Sequence, residues 1–323
     1  MNILITGGTG FVGAGLARRL LARGENVVLF DIAPRVERVP DIKDKVKIIQ
    51  GDLKVWPEVM NAVKDNKIDG IFHLGAMLSL PSEANPWASF QTNVAGTQYM
   101  LEAARLLGVQ RMVLASTGAT YGLGVGEVLT DETIQRPISM YGIGKLFGEL
   151  LGRFYRRKFG FDFRCIRFCA DVVGPGVRTM ALPQYIPWMI ENAALGRPFE
   201  CWVTEDAAVH IMYFKDVVRG VEKLFYAPKE NIKMVCYNMV NGPQLPTAKD
   251  IENAVRKHIP DAKITYKPDP LTMEILRSLK YKVVDDSRAR EEWGWDPEYA
   301  DYEAIVEDFI KEVKTRPEMY GVS

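Results

Sequence analysis

A tyrosine and a lysine near the middle of the chain have the spacing of a proton-transfer pair. Tyr141 and Lys145 are four residues apart, so on a helix their side chains share one face, a turn apart. A free tyrosine has a pKa of about 10 and is a poor base at neutral pH. A fixed ammonium nearby favours the phenolate and lowers that pKa. We therefore predict that Tyr141 exchanges a proton with a substrate and that Lys145 tunes it.

Two hydroxyl residues, Ser116 and Thr117, end an apolar run that predicts a strand. A hydroxyl in this position can hydrogen-bond a substrate oxygen and stabilise the charge that develops on it. We predict that at least one of the two is catalytic, and prefer Thr117. A tyrosine and a lysine at this spacing also occur on ordinary helix surfaces, so the prediction depends on the elements that position them.

The first of these elements is a glycine-rich turn at the start of the chain. An apolar strand runs directly into Thr6-Gly7-Gly8-Thr9-Gly10-Phe11-Val12-Gly13, and a helical pattern follows. Glycines three residues apart permit a tight strand-to-helix turn and the close approach of a pyrophosphate to the helix N-terminus. We therefore predict a dinucleotide site that includes Gly7, Gly10, Phe11 and Val12.

An acidic residue, Asp31, ends the second predicted strand. A carboxylate there accepts hydrogen bonds from the ribose hydroxyls of the adenosine and repels a 2′-phosphate, which favours NAD over NADP. Arg35 and Arg38 follow closely and leave NADP open as an alternative.

Further candidates for cofactor contact follow the third and fourth strands. Asp52 and Leu53 come after the third strand and suit the edge of the adenine. Leu74, Gly75 and Ala76 come after the fourth strand, where small residues leave room for the cofactor backbone.

Short apolar runs alternate with helix-like segments through the first half of the chain, which predicts βαβ units and a parallel sheet covered on both faces. The expected fold class is α/β, a Rossmann doubly wound parallel sheet with a smaller C-terminal substrate domain. We assign residues 1–173 and 210–239 to the NAD-binding domain, with Ile211–Tyr226 returning to it as a strand and a helix. Residues 174–209 and 240–323 form the predicted substrate-binding domain.

Composition excludes several classes of function. Forty-one basic residues balance forty-one acidic ones, so no net field favours nucleic acid or an anionic membrane. No apolar stretch approaches the roughly 18 residues that span a bilayer, and no signal sequence precedes the first strand, so a cytoplasmic location is expected. The cysteines lack metal-ligand spacing and are expected to be buried free thiols, with no metal site. They are Cys165, Cys169, Cys201 and Cys236.

Together, these motifs resemble the extended short-chain dehydrogenase/reductase superfamily over essentially the whole chain. In that superfamily the tyrosine is the acid–base catalyst, the lysine binds the nicotinamide ribose and tunes the tyrosine, and the hydroxyl residue holds the substrate oxygen. The resemblance implies those roles for Tyr141, Lys145 and Thr117. It also implies that Asn93 supports the active-site helix through its backbone, and we count Asn93 and Phe168, on the strand after that helix, in the cofactor set.

The resemblance also implies a homodimer. Proteins of this type often pair two long helices across a two-fold axis. The corresponding predicted helices are Ser89–Leu107 and Tyr141–Phe159, and both carry apolar residues on more than one face.

Two branches of the superfamily compete for the substrate. Nucleotide-sugar epimerases and dehydratases carry an asparagine and an arginine that help to hold a diphosphate. This chain has Asp171 and Val209 at those positions. An aspartate and a valine are poor ligands for a diphosphate, which counts against a sugar nucleotide.

The second branch, the short-chain type of L-threonine 3-dehydrogenase, is similar in several stretches, including Asp285–Trp295. Its glycine–threonine substrate loop is replaced here by Gly174–Pro183, in which Arg178 and Thr179 could bind a carboxylate or phosphate. We take Ser79, Thr117, Arg178 and Thr179 as substrate-binding candidates.

The leading hypothesis is an NAD-dependent dehydrogenase acting on L-threonine or another β-hydroxy acid. The alternatives are a nucleotide-sugar epimerase or dehydratase with tightly bound NAD, and a non-catalytic NAD-binding regulator on the same fold.

Overall fold

The computed structural model describes residues 1–177, 184–278 and 281–322. The strands in these ranges are β1 (Asn2–Thr6), β2 (Asn26–Asp31), β3 (Lys47–Gln50), β4 (Gly70–His73), β5 (Arg111–Thr117), β6 (Val128–Leu129), β7 (Asp162–Phe168), β8 (Asp171–Val173), β9 (Phe199–Cys201), β10 (Ile211–Tyr213), β11 (Cys236–Met239), β12 (Ile264–Tyr266) and β13 (Val283–Val284). Seven of them form one parallel sheet in the order β11-β7-β5-β4-β1-β2-β3.

The helices in the same ranges are α1 (Phe11–Ala22), α2 (Trp56–Lys64), α3 (Ser79–Ala84), α4 (Pro86–Ser89), α5 (Gly96–Leu106), α6 (Met140–Phe159), α7 (Tyr185–Ala194), α8 (Phe214–Tyr226), α9 (Ala248–His258), α10 (Pro270–Ser278), α11 (Ser287–Trp293), α12 (Tyr302–Thr315) and α13 (Pro317–Tyr320). Successive β1 side chains point to opposite faces of the sheet. Ile3 and Ile5 pack in a core with α1, α8 and α11, while Leu4 packs in a second core with α2, α5 and α6. The predicted doubly wound sheet is confirmed.

The direction of the chain reverses between β1 and β4. From β1 the chain proceeds outward to β2 and β3, and then returns to place β4 on the other side of β1. In open parallel sheets, ligands bind outside the carboxyl ends of the strands at such a switch point. The glycine-rich turn after β1 and Gly75 after β4 meet there.

The predicted helix Ser89–Leu107 is interrupted. Helix α4 ends at Ser89, the backbone of Phe90–Ala95 is π-helical, and α5 begins at Gly96. The Thr97 hydroxyl donates to the Asn93 carbonyl at 2.7 Å. Single-turn π-helical segments occur frequently at functional sites.

A third hydrophobic core lies outside the main sheet and joins α7, α9 and α12 with the β9–β12 pair. We predicted that Ile211–Tyr226 returns to the main domain as a strand and a helix. Helix α8 packs on the main sheet, and the strand, β10, pairs with β8 in a separate two-stranded sheet. The sheet edge beyond β7 is taken by β11. Residues of α11, placed in the substrate domain, also pack in the main core.

Three general features bear on function. No helix in the described ranges is long and apolar enough to cross a membrane. All four cysteines are buried and free, as predicted. Within the same ranges, no group of three histidine, cysteine, aspartate or glutamate residues could hold a metal ion.

Candidate active site

The glycine-rich turn has the geometry of a pyrophosphate site. Gly7 has a φ of +64°, and a Cβ there would lie 3.0 Å from the Gly75 Cα. A Cβ on Gly13 would lie 2.4 Å from the Gly7 carbonyl oxygen. Phe11 and Val12 open α1, and the first N–H groups of a helix have no partner within the helix. The turn therefore brings free amides and the positive end of α1 to the switch point, which fits a dinucleotide phosphate.

Asp31 anchors this turn. Its Oδ2 accepts hydrogen bonds from the Thr9 amide at 3.1 Å and the Thr9 hydroxyl at 2.7 Å, and its Oδ1 accepts one from Ala33 at 3.3 Å. A carboxylate has about four acceptor positions, so the predicted ribose contact remains compatible with these bonds. The Arg38 guanidinium donates to the Gly176 carbonyl at 3.2 Å, which engages one of the two arginines that had left NADP open.

The other predicted cofactor residues line the same edge of the sheet. Leu53 is buried, and its side chain lies beside Gly75. The Gly75 amide donates to the Thr6 hydroxyl at 2.9 Å. Leu74 and Ala76 flank Gly75 and are half-buried.

Two further members of the cofactor set lie at strand ends. The Asp52 carboxylate pairs with Lys54 at 3.2 Å. Phe168 ends β7, directly opposite Thr117 of β5 in the parallel register. Contact between any of these residues and the cofactor remains a prediction.

The catalytic pair lies at the start of α6. The Ser139 hydroxyl caps this helix by accepting from the Gly142 amide at 3.0 Å. Tyr141 lies beside the Thr117 side chain, which ends β5. Burial raises the pKa of Tyr141 to about 12, and the Thr117 hydroxyl acts in the opposite direction. Thr117 and Tyr141 are thus together, as the sequence predicts.

Lys145 is buried one turn beyond Tyr141. Its Nζ donates to the Ala115 carbonyl at 2.8 Å and lies 5.8 Å from the centre of the Tyr141 ring. Burial lowers the pKa of Lys145 to about 8, while Cys165 and Glu149 raise it. We expected the ammonium to lower the pKa of Tyr141, but in this structure the lowering comes from the Thr117 hydroxyl.

Of the two predicted catalytic hydroxyls, that of Ser116 is engaged by another protein group. Ser116 is buried and its hydroxyl donates to the Glu149 carboxylate at 2.5 Å. Ser116 thus meets Glu149 in the third turn of α6, whereas Thr117 lies beside Tyr141 in the first turn of that helix. Thr117 is the hydroxyl that the structure leaves for a substrate.

Asn93 lies beside the site, and its side chain hydrogen-bonds the backbone of Met77. Its side chain accepts from the Met77 amide at 2.8 Å and donates to the Met77 carbonyl at 2.9 Å. It therefore holds the loop that leads from Ala76 to Ser79. Ser79 opens α3 and is half-buried. Arg178 and Thr179 lie outside the described residues.

Sequence reasoning missed two contributors. The Glu83 carboxylate accepts from the Met140 amide at 2.6 Å and so joins α3 to the first turn of α6. Glu149 and Arg167 form a buried ion pair at 2.7 Å behind the site. The available signal for the pair was a charged residue in the apolar run of β7.

Asp171 and Val209, the two positions that the sequence sets against a sugar-nucleotide substrate, are both removed from solvent to different degrees. Burial raises the pKa of Asp171 to about 7, with a Gln184 hydrogen bond at 3.1 Å acting against it. Val209 is buried in the third core, the one that joins α7, α9 and α12. Neither position offers a cationic or donor-rich group to a diphosphate.

Known proteins resemble this chain in both sequence and fold. The NAD dependent epimerase/dehydratase family matches residues 3–239. The mitochondrial L-threonine 3-dehydrogenase of Bos taurus is 31% identical over 296 residues, which are 91% of this chain and 78% of that protein. A GalE-like L-threonine dehydrogenase from Cupriavidus necator, solved in its holo form, superposes with a TM-score of 0.87 at 26% identity, covering 97% of this chain and 100% of that chain.

A UDP-glucose 4-epimerase from Thermotoga maritima superposes with a TM-score of 0.84 at 23% identity, covering 97% of this chain and 99% of that chain. At this identity the likeness concerns the fold alone.

Proposed function

The chain belongs to the NAD dependent epimerase/dehydratase family, and we propose that it is a dehydrogenase that oxidises a small polar secondary alcohol. It is an NAD-dependent oxidoreductase with a small-molecule substrate. The proposed substrate is L-threonine or another β-hydroxy acid. The observation that carries the proposal is that Thr117, at the end of β5, lies beside Tyr141, at the start of α6, with Lys145 one turn along the same helix.

The residues divide the proposed chemistry among them. NAD, when bound, supplies the acceptor for the hydride that leaves the substrate carbon. The Thr117 hydroxyl holds the substrate oxygen, and the Tyr141 oxygen takes the alcohol proton. Lys145 holds the nicotinamide ribose, and the Thr117 hydroxyl favours the phenolate of Tyr141. In the reverse direction the protonated Tyr141 returns its proton to the ketone oxygen.

The sequence features of the substrate side support a small acid over a sugar nucleotide. Asp171 and Val209 stand where a diphosphate would need a donor and a cation; the Asp171 carboxylate accepts from Gln184, and Val209 is buried in a hydrophobic core. The threonine dehydrogenases resemble this chain at both the sequence and the fold level. We propose Ser79, Arg178 and Thr179 as the residues that hold the substrate carboxylate.

We also propose a homodimer formed through α6 and the helical segment before α5. Ile143, Leu150 and Phe154 are exposed apolar residues, and their spacing places them on one face of α6. Trp87 and Phe90 are also exposed, and their rings stack at 5.6 Å. Light scattering should give twice the chain mass, and a monomeric wild type would refute the dimer.

The test of the reaction follows NADH absorbance from purified protein with NAD and a panel of β-hydroxy acids and amino alcohols, headed by L-threonine. Turnover on threonine or a related acid supports the proposal. A sugar-nucleotide epimerisation assay runs in parallel. Epimerisation without net NADH formation would overturn the proposal in favour of the epimerase alternative.

A further inference from the structure

Three successive turns of α6 contact the last three residues of β5. Tyr141 lies beside Thr117, and the Lys145 ammonium donates to the Ala115 carbonyl at 2.8 Å. One turn further, the Glu149 carboxylate accepts from Ser116 at 2.5 Å. The proposed catalytic groups use the first two of these contacts. The third lies behind them and fixes the residue that directly precedes Thr117.

The Glu149 carboxylate joins two neighbouring strands. Ser116 of β5 lies directly opposite Arg167 of β7. The Arg167 Nε lies 3.1 Å from Glu149 Oε1, and its Nη2 lies 2.7 Å from Oε2. Both side chains are at most 2% exposed. A bidentate pair this deeply buried is geometrically specific, so α6 has a defined position against the carboxyl ends of β5 and β7.

Arg167 extends the arrangement to the loop that follows Thr117. Its Nη1 donates to the Tyr121 hydroxyl and to the Asp131 carbonyl, each at 2.9 Å. Burial alone would lower the pKa of Arg167, and the hydrogen-bonded Glu149 raises it overall. The guanidinium is therefore a permanent cation whose countercharge is Glu149.

Several groups from different elements act on Lys145. Within α6 these are Tyr141 and Glu149, and from β7 the Cys165 thiol. From β4, His73 is held neutral, because burial and the Lys145 charge together lower its pKa to about 3. The negative charge on this list is Glu149, one turn from Lys145, and it favours the ammonium form.

We propose that Glu149 is a positioning residue, which sets Thr117 through Ser116 and keeps Lys145 protonated through its charge. The inference rests on the proposed dehydrogenase function for its effect on rate. Its electrostatic part concerns the protein alone. Glu149 does not contact the substrate, and both effects reach the reaction through other side chains.

The first measurement is the pKa of the Lys145 ammonium, by NMR of protein carrying ¹⁵N-labelled lysine, with Lys145→Met identifying the resonance. Glu149→Gln removes the charge and should lower that pKa by roughly half a unit to one unit. Glu102→Gln removes a different arginine-paired carboxylate, on α5, and should leave it unchanged. An unchanged pKa in folded Glu149→Gln overturns the electrostatic role.

The second measurement is steady-state turnover of Ser116→Ala. This variant breaks the bond to β5 and leaves the Glu149–Arg167 pair intact, so it should fold even if Glu149→Gln does not. Because Thr117 loses its fixed neighbour, kcat should fall roughly ten-fold with little change in KM. Wild-type kcat would overturn the positioning role. If the wild type oxidised none of the alcohols, the proposed function would fail, while the lysine titration would still decide the inference.

Discussion

Replacement of Asp171 by asparagine should remove a pH-dependent loss of stability. Burial raises the pKa of Asp171 from 3.8 to about 7, against a smaller lowering by Gln184. The folded protein therefore holds this proton more tightly than the unfolded chain does. The resulting stabilisation is complete below pH 3.8 and is lost as the pH rises towards 7. Asparagine keeps an acceptor for the Gln184 amide and carries no charge at any pH.

The magnitude follows from the difference between the two pKa values. A shift of this size corresponds to about 4 kcal/mol, at about 1.4 kcal/mol per pKa unit. Part of the Asp171 side chain reaches solvent, so we expect about half of that, or about 2 kcal/mol. For a protein of this size, such a change moves the melting temperature by roughly 4 °C.

The assay compares thermal melting of wild type and Asp171→Asn at about pH 4 and about pH 8. The variant should gain roughly 4 °C relative to wild type between the two conditions. Asp44→Asn, at an exposed aspartate, should show no such gain. A difference between variant and wild type that is the same at both pH values would refute the reasoning, because it would mean that Asp171 titrates normally in the folded protein.

Two further predictions concern the cofactor site, and both are measured by calorimetric titration with NAD. Gly7→Ala should abolish measurable NAD binding, because its φ of +64° and the 3.0 Å distance from a Cβ to Gly75 force the turn to move; wild-type affinity would contradict the pyrophosphate assignment. Asp31→Asn should weaken NAD binding roughly ten-fold, because the adenosine ribose loses an anionic hydrogen-bond acceptor. The ratio of the NAD affinity to the NADP affinity should also fall, because a carboxylate no longer repels the 2′-phosphate. An unchanged preference would mean that other residues exclude the 2′-phosphate.

The sequence was sufficient for the parts of the site that depend on local geometry. Gly7 is recognisable because its turn requires a left-handed backbone, and Asp31 because it ends the second strand. Tyr141 and Lys145 are recognisable because four residues make one helical turn. Each of these predictions needs only the residue, its spacing and the type of element that carries it.

The structural features that the sequence did not predict depend on contacts between distant residues. Ser116 and Thr117 are adjacent, and which of them faces the site is decided by the packing of α6 and by Glu149, 33 residues away. The edge of the main sheet beyond β7 is occupied by β11, which lies about 70 residues later in the chain. The π-helical segment around Asn93 is coupled to the backbone of Met77. None of these pairings leaves a local sequence pattern.

The most direct test of the account compares wild type with Tyr141→Phe in one NADH-forming assay, alongside calorimetric NAD binding. Phenylalanine keeps the ring and removes the oxygen that takes the alcohol proton. We predict that turnover falls by at least about 100-fold while NAD affinity stays within a few-fold of wild type. Retained turnover in the variant would contradict the assignment of Tyr141 as the acid–base catalyst, and with it the proposed mechanism.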